Sequence, residues 1–363
     1  MYHYLKYYTT PPLTPIFIVS ILLGGNWMWL GIGILVTIFI IGDAILGEDT
    51  AQPDYKHAWI IEVPLHLALP MLTILLVAFA WSAGSGSLDL FGIGTTLGNL
   101  FPYDFLVVRS ENTLFHYLGG IISVGFLIAG YGTNVAHELV HRVNNKMSML
   151  EGRWLLSTSC NPDFAIEHVF GHHSTVGTKE DPATAKRGDN VYFFFLRSTV
   201  LGHISAWKIE LNRIRKKNIS IFSIRNRMIT GYLMSFVWIF LFYHAGGLTG
   251  LVLFFSQAIL AKFILEIINY MEHYGLSRQV GSPIKPEHSW NTNKRISSIF
   301  LFSLTRHSAH HEKPKDTFWI LDPNLPAPDL PYGYLTNLFL CLVPPLWFKV
   351  MSPKLKDWDL NYR

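Results

Sequence analysis

Residues 115–141 read FHYLGGIISVGFLIAGYGTNVAHELVH. From Phe115 to Ala136 there is no Asp, Glu, Lys or Arg. A bilayer core of roughly 30 Å needs about 20 mostly apolar residues per helix, so this stretch is long enough to cross. It runs directly into HELVH, and residues four apart on a helix share a face. An apolar span therefore carries His137 and His141 out of its end, side by side. The segment predicts an all-α integral membrane protein with a histidine-rich cap.

The rest of the chain has the same character. Half of the 363 residues are apolar and only 15% are charged, against about 25% in a soluble domain. The 11 Trp and 16 Tyr are residue types that favour the headgroup boundary. Spans are expected at about 13–24, 27–46, 59–81, 115–136, 228–244 and 248–270, the last two joined at Gly246-Gly247. Residues 335–348 are too short to cross and contain Pro344-Pro345, which predicts an interfacial or docked segment. The N-terminus lacks the pattern of a cleaved signal peptide, so the first apolar segment is expected to stay as an anchor. The whole chain, 1–363, reads as one membrane-bound domain without internal repeats.

Basic residues order the topology. Of 29 Lys and Arg, three (Lys6, Lys56, Arg109) precede Arg142, which leaves 26 from there on. Of these, Lys262 alone falls inside a span. The others gather in 142–227 and 278–363. Positive loops stay cytoplasmic, and six spans put both histidine segments, 137–227 and 271–363, on the side of the N-terminus. The run KIELNRIRKK (208–217) is expected to be a basic helix, resting on anionic headgroups or docking a partner. Nothing calls for nucleic-acid binding.

The only cysteines, Cys160 and Cys341, are far apart. They cannot hold a rubredoxin iron, a zinc ribbon or an iron–sulfur cluster, which need about four ligands. Electrons must come from a separate carrier or another cofactor.

Nine of the 16 histidines cluster: His137 and His141 in HELVH, His168, His172 and His173 in EHVFGHH, His273 in NYMEHYG, and His307, His310 and His311 in RHSAHH. Helical spacing lets His137 meet His141, His168 meet His172, and His307 meet His310 or His311 on one metal. The doubled His172-His173 and His310-His311 let one helix aim a ligand at each of two ions. Neutral imidazole suits iron, copper and zinc, and nine donors exceed what one ion takes. Glu138, Glu167 and Glu272 stand beside ligand candidates as outer partners that would orient them. His288 in EHSWN is either another such partner or a loop cap.

Each motif has a plainer reading by itself. HELVH matches the zincin pattern, which by itself would suggest an intramembrane zinc protease with Glu138 as base. RHSAHH could be a basic surface patch, and His273 a hydrogen-bonded structural histidine. A non-catalytic metal or haem carrier is disfavoured, because transport sites lie across a membrane rather than on one face. The clusters together favour a metal centre.

The boxes H-x3-H, H-x3-HH and H-x2-HH resemble those of the membrane fatty-acid desaturase and hydroxylase superfamily. EHVFGHHSTVGTKEDPATAKRGDNVY (167–192), NYMEHYGL (269–276), HSWN (288–291) and LTRHSAHH (304–311) are similar to one branch of it, the membrane alkane hydroxylases (alkane 1-monooxygenases) and the related xylene monooxygenase hydroxylases. The C-terminal PPLWFKVMSPKLKDWD (344–359) leans towards the xylene enzymes. The likeness runs from GDAILGEDT (42–50) to Trp358. It implies that the nine histidines ligate two non-haem iron ions. It implies reductive activation of dioxygen, with one oxygen atom inserted into a terminal C–H of an apolar substrate such as a medium- or long-chain alkane. It implies electrons from rubredoxin or ferredoxin with its reductase, in a bacterial inner membrane with the active site on the cytoplasmic side.

By the same likeness the span 27–46 would line a substrate channel opening from the membrane lipid, with Leu35 at the position where a bulky aromatic can close it. Asp43, near the end of that span, is either functional or a solvated interfacial residue. Alternatives inside the superfamily are xylene-type side-chain hydroxylation and fatty-acid desaturation.

Overall fold

The computed structural model describes residues 1–84 and 88–362. Arg363, which ends the second basic stretch, lies outside the described residues. The described residues are helical with no strand, apart from isolated bridges such as Glu48 with Lys294.

Among the described residues, four helices are long and apolar enough to cross a bilayer: Gly25–Ile45, Ala58–Ser82, Leu114–His141 and Arg227–His273. The fourth has 47 residues and breaks at Gly246 and Gly247, where Gly247 takes a left-handed φ of 55°. Beyond the break the chain folds back. The Phe242 carbonyl occupies the space a Cβ on Gly250 would need, and the Phe242 and Phe254 rings pack with centroids 5.2 Å apart. The Gly-Gly turn expected at this point is thus a helical hairpin inside one long apolar element. The segment expected as the first span is the helix Thr10–Leu23 of 14 residues. At 1.5 Å per residue it reaches about 21 Å, short of a roughly 30 Å hydrocarbon core.

Small residues let these helices touch. A side chain on Gly119 would meet Trp29, one on Gly120 would meet Phe79, and one on Gly31 would meet Phe17. Such close approach replaces the hydrophobic drive that is missing between helices in lipid. Apolar residues such as Ile41, Phe236, Phe240 and Ile259 point outward instead. The stretch around Pro344-Pro345 forms two helices, Tyr334–Cys341 and Pro344–Tyr362. Trp347 on the second is buried, its ring centroid 5.9 Å from that of Tyr270. This segment is docked against the bundle.

Asp43 is not solvated. It is buried and accepts hydrogen bonds from the Ser297 backbone N–H (3.0 Å) and hydroxyl (2.5 Å). It ties the end of Leu30–Ile45 to the helix Arg295–Phe300, whose chain continues into the third histidine box.

The basic run 208–217 lies mostly in the helix Val191–Lys216. There Glu210 is buried between Arg213 (2.6 Å) and Arg227 (2.7 Å). Burial alone would raise its pKa. Bonds from the Arg213 side chain and from the Arg227 backbone and side chain outweigh that and hold it at about 2. A carboxylate depressed in the folded state stabilises fully above its unfolded pKa of about 4.5, and that contribution fades as pH falls towards 2. Because both guanidinium groups are partly wet, we expect about 2 kcal/mol. Melting of detergent-solubilised Glu210→Gln should be lower than wild type at pH 7, with the gap closing near pH 3. An equal gap at both pH values would contradict the assignment.

Candidate metal centre

The nine clustered histidines converge into two adjacent buried groups. One holds His137, His141, His168, His173 and His310; the other holds His172, His273, His307 and His311. Within each group the ligand nitrogens lie within 4.8 Å of one another. Several Nε2 pairs stand closer: His168 to His173, His173 to His310 and His273 to His307 at 3.1 Å, and His307 to His311 at 3.0 Å. Two nitrogens bound side by side to one ion at about 2.1 Å would be about 3 Å apart. The donor sets therefore fit metal ions without rearrangement. Nε2 of His137 and of His141 is buried with no hydrogen-bond partner, as expected of lone pairs shaped for an ion.

Two local distortions sort the rings. The turn His168–His172 is a π-helical turn, wider than an α-turn, and such turns recur at functional sites. It carries His168 over to His173, five residues on, so the expected pairing of His168 with His172 does not occur. His172 joins the other group, its Nε2 3.3 Å from that of His311. A second π segment, Ile128–Thr133, precedes HELVH in the first box's helix. In the third box His307 pairs with His311, and His310 crosses to the five-histidine group. Both doubled histidines thus divide between the groups, as their spacing allows.

The frame around the third box is tied by buried hydrogen bonds. Arg306 is buried and donates to the carbonyls of Leu321 and Asp49 (each 2.9 Å). HSWN is a clamp: Trp290 N–H donates to the Glu272 carbonyl (2.8 Å), and Asn291 Oδ1 accepts from Ser308 N–H (2.8 Å). It joins the helix carrying His273 to the one carrying His307. His288 itself caps its own turn, its Nδ1 accepting from Lys285 N–H at 3.0 Å.

The carboxylates divide in role. Glu272 Oε2 lies 3.2 Å from His307 Nε2, the nitrogen that faces the metal position, and its Oε1 accepts from Tyr334 at 2.6 Å. It is therefore on the inner side of the ring, not behind it as expected of an outer partner. Glu138 faces Arg142 (3.1 Å), which also binds Glu62 (2.7 Å), rather than an imidazole. Glu167 Oε1 is buried without a partner; burial, then the charge of Asp181, pushes its pKa up to about 8. The outer partner that sequence reasoning missed is Asp181, whose Oδ2 accepts from His172 Nδ1–H at 2.9 Å. Burial opposes its charge, yet His172 and the Thr184 hydroxyl hold its pKa below the usual range. Its one signal was an acidic residue in the TKEDPAT loop after the second box. Burial, then neighbouring imidazoles, push the pKa values of His168, His173, His307, His310 and His311 well down. They are neutral at physiological pH, the form that binds metal.

A narrow cavity touches both groups through His137, His168 and His307, with Ala129, Phe164, Leu265, Ile268 and Leu304 among its apolar lining. Leu35 is not part of that lining. It sits in the apolar core on Leu30–Ile45.

An all-helical membrane bundle with clustered buried histidines defines a membrane metalloenzyme class. A fatty acid desaturase family model matches residues 112–336, and the chain belongs to that family, in its alkane and xylene monooxygenase branch. It is 33% identical to alkane 1-monooxygenase 2 of Pseudomonas aeruginosa, over 92% of this chain and 85% of the relative. It is 38% identical to alkane 1-monooxygenase of Acinetobacter baylyi, over 69% and 62%. It is 30% identical to the xylene/toluene monooxygenase hydroxylase component of Pseudomonas putida, over 99% and 90%. The protein is an oxygen-dependent membrane monooxygenase.

Proposed function

We propose that the protein hydroxylates a terminal C–H of an apolar substrate, a medium- or long-chain alkane, at two irons held by the nine histidines. The observation that carries this reading is the pair of buried imidazole groups, five and four donors, meeting at one narrow cavity whose wall is in part apolar. The relatives named alkane 1-monooxygenase support the substrate class. Bound iron would supply the activation of dioxygen. The chain's own residues do the rest. Phe164, Leu265 and Leu304 keep water from the cavity and offer an apolar chain a dry surface. Asp181 fixes the His172 ring, and Glu272 with Tyr334 sets the position of His307.

Six passages of the membrane, with the hairpin arms counted separately and Thr10–Leu23 crossing a locally thinned bilayer, put both histidine segments on the positively charged, cytoplasmic side of a bacterial inner membrane. Rubredoxin or ferredoxin would reach the centre from that side, consistent with a chain of only two cysteines. Xylene-type side-chain hydroxylation is the second reading, favoured by a likeness that spans 99% of the chain.

The test is expression with rubredoxin and its reductase, feeding octane through hexadecane and toluene under labelled dioxygen. A primary alcohol carrying one labelled oxygen is expected. Benzyl alcohol alone would favour the second reading. No product from an iron-loaded protein would sink both.

A further inference from the structure

Lys262 is the one Lys or Arg deep in a span, and the centre does not use it. Its Nζ lies 3.0 Å from Glu266 Oε1, 2.8 Å from Asn161 Oδ1 and 3.7 Å from Asp163 Oδ2. Asp163 Oδ1 in turn lies 3.6 Å from Nδ1 of His203, whose side chain is 40% exposed and whose Nε2 is 2.8 Å from the Tyr232 hydroxyl. At the inner end, Glu266 Oε2 accepts from Ser198 (2.6 Å) and Asn269 (3.3 Å). Asn269 lines the cavity that touches His137, His168 and His307. The polar groups thus form one line from the surface to the metal centre.

A buried ion cluster is weak evidence for stability, because desolvation offsets its attraction. Ionisable groups within spans mark proton or ion routes more often than struts. The charge balance points the same way. Asp163 and Glu266 both face the one ammonium of Lys262, with Glu167 acting on it as well, and His203 closes the outer end of the line. The reaction proposed above consumes protons: C–H plus O2, two electrons and two protons gives C–OH and H2O, the electrons coming from a one-electron iron protein. Ala129, Phe164, Leu265, Ile268 and Leu304 make part of the cavity wall apolar, so those protons need a route along its polar residues.

We propose that His203, Asp163, Lys262 and Glu266 are a proton inlet to the cavity, an inference that rests on the hydroxylase reading. His203 takes a proton from solvent and passes it to Asp163. Lys262 gives one proton to Glu266 and recovers one from Asp163. Glu266 releases its proton past Asn269 into the cavity, and the line returns to its starting charge. The two long steps need shifts under about 1 Å to reach hydrogen-bond distance. The alternative line at Glu138 ends on Arg142, and a guanidinium does not give up its proton.

The test uses the full-length, iron-loaded protein in detergent, with His203→Ala and Glu266→Gln. Proton uptake is followed with a pH dye during light-driven reduction without substrate, and metal-free protein gives the baseline. With iron content equal to wild type, uptake should slow by about tenfold or more in both variants. Turnover should acquire a larger solvent deuterium isotope effect, and imidazole in the buffer should restore His203→Ala. Uptake at the wild-type rate in His203→Ala with wild-type iron content would overturn the inlet. So would a Glu266→Gln defect that only tracks lost iron. Slowed uptake in the variants alongside a wild type that makes no labelled alcohol would keep the inlet and reject the hydroxylase reading.

Discussion

His310→Ala should abolish hydroxylation and empty the five-histidine group while the other group keeps its metal. His310 is buried, its Nε2 is 3.1 Å from that of His173, and its ring centroid is 4.5 Å from His137 and 4.6 Å from His141. Removing it takes one donor of five and opens a void among closely packed, buried rings. The adjacent His311 belongs to the other group, so the lesion stays local. Losing an outer-shell partner of a metal typically costs about 10–100-fold, and losing a ligand should cost more. Metal analysis should fall from about two ions per chain to about one, with labelled alcohol below detection. A zinc protease built on HELVH would treat His310 as dispensable. Full metal content and unimpaired turnover in His310→Ala would therefore reject the two-ion centre.

The histidines were legible because imidazole is rare in apolar helices and these nine cluster at helical spacings. Which of the two groups each one joins was not legible. The i to i+4 rule pairs His168 with His172, but the π-turn at 168–172 selects His173. That turn depends on the packing around it, not on any single residue. The apolar spans were readable from composition, since lipid demands it. Their number depends on how a 14-residue helix and a hairpin broken at Gly246-Gly247 are counted. Asp43 shows where composition fails: an acid near a span end reads as either functional or interfacial, and only the long-range contact with Ser297 reveals a buried tie. Lys262 was visible as an exception, and Glu266 one turn on is a local partner, but Asn161 and Asp163 come from far away in sequence.

Asp181→Asn should weaken the four-histidine group selectively. Among the described residues, His172 is the only member of that group whose Nδ1–H is held by a buried carboxylate, at 2.9 Å. That bond fixes the ring so that Nε2 points at the metal position, and the negative charge makes the imidazole a better donor. The same Asp181 accepts from Ala183 N–H (3.1 Å) and the Thr184 hydroxyl, so its carboxylate is itself held in place. Asparagine keeps the size and one acceptor oxygen but loses the charge. Its amide group would turn N–H groups towards donors that already need an acceptor. Affinity for the ion held by His172, His273, His307 and His311 should fall about 10–100-fold, read as metal lost during titration with a chelator. The five-histidine group, which has no contact with Asp181 in its donor set, should retain its ion. Asp181→Ala should go further, because it leaves the His172 Nδ1–H buried and unpaired at a cost of about 1–3 kcal/mol. If both variants resist the chelator as wild type does, the orienting role of Asp181 is wrong and the His172 ring is held by packing alone.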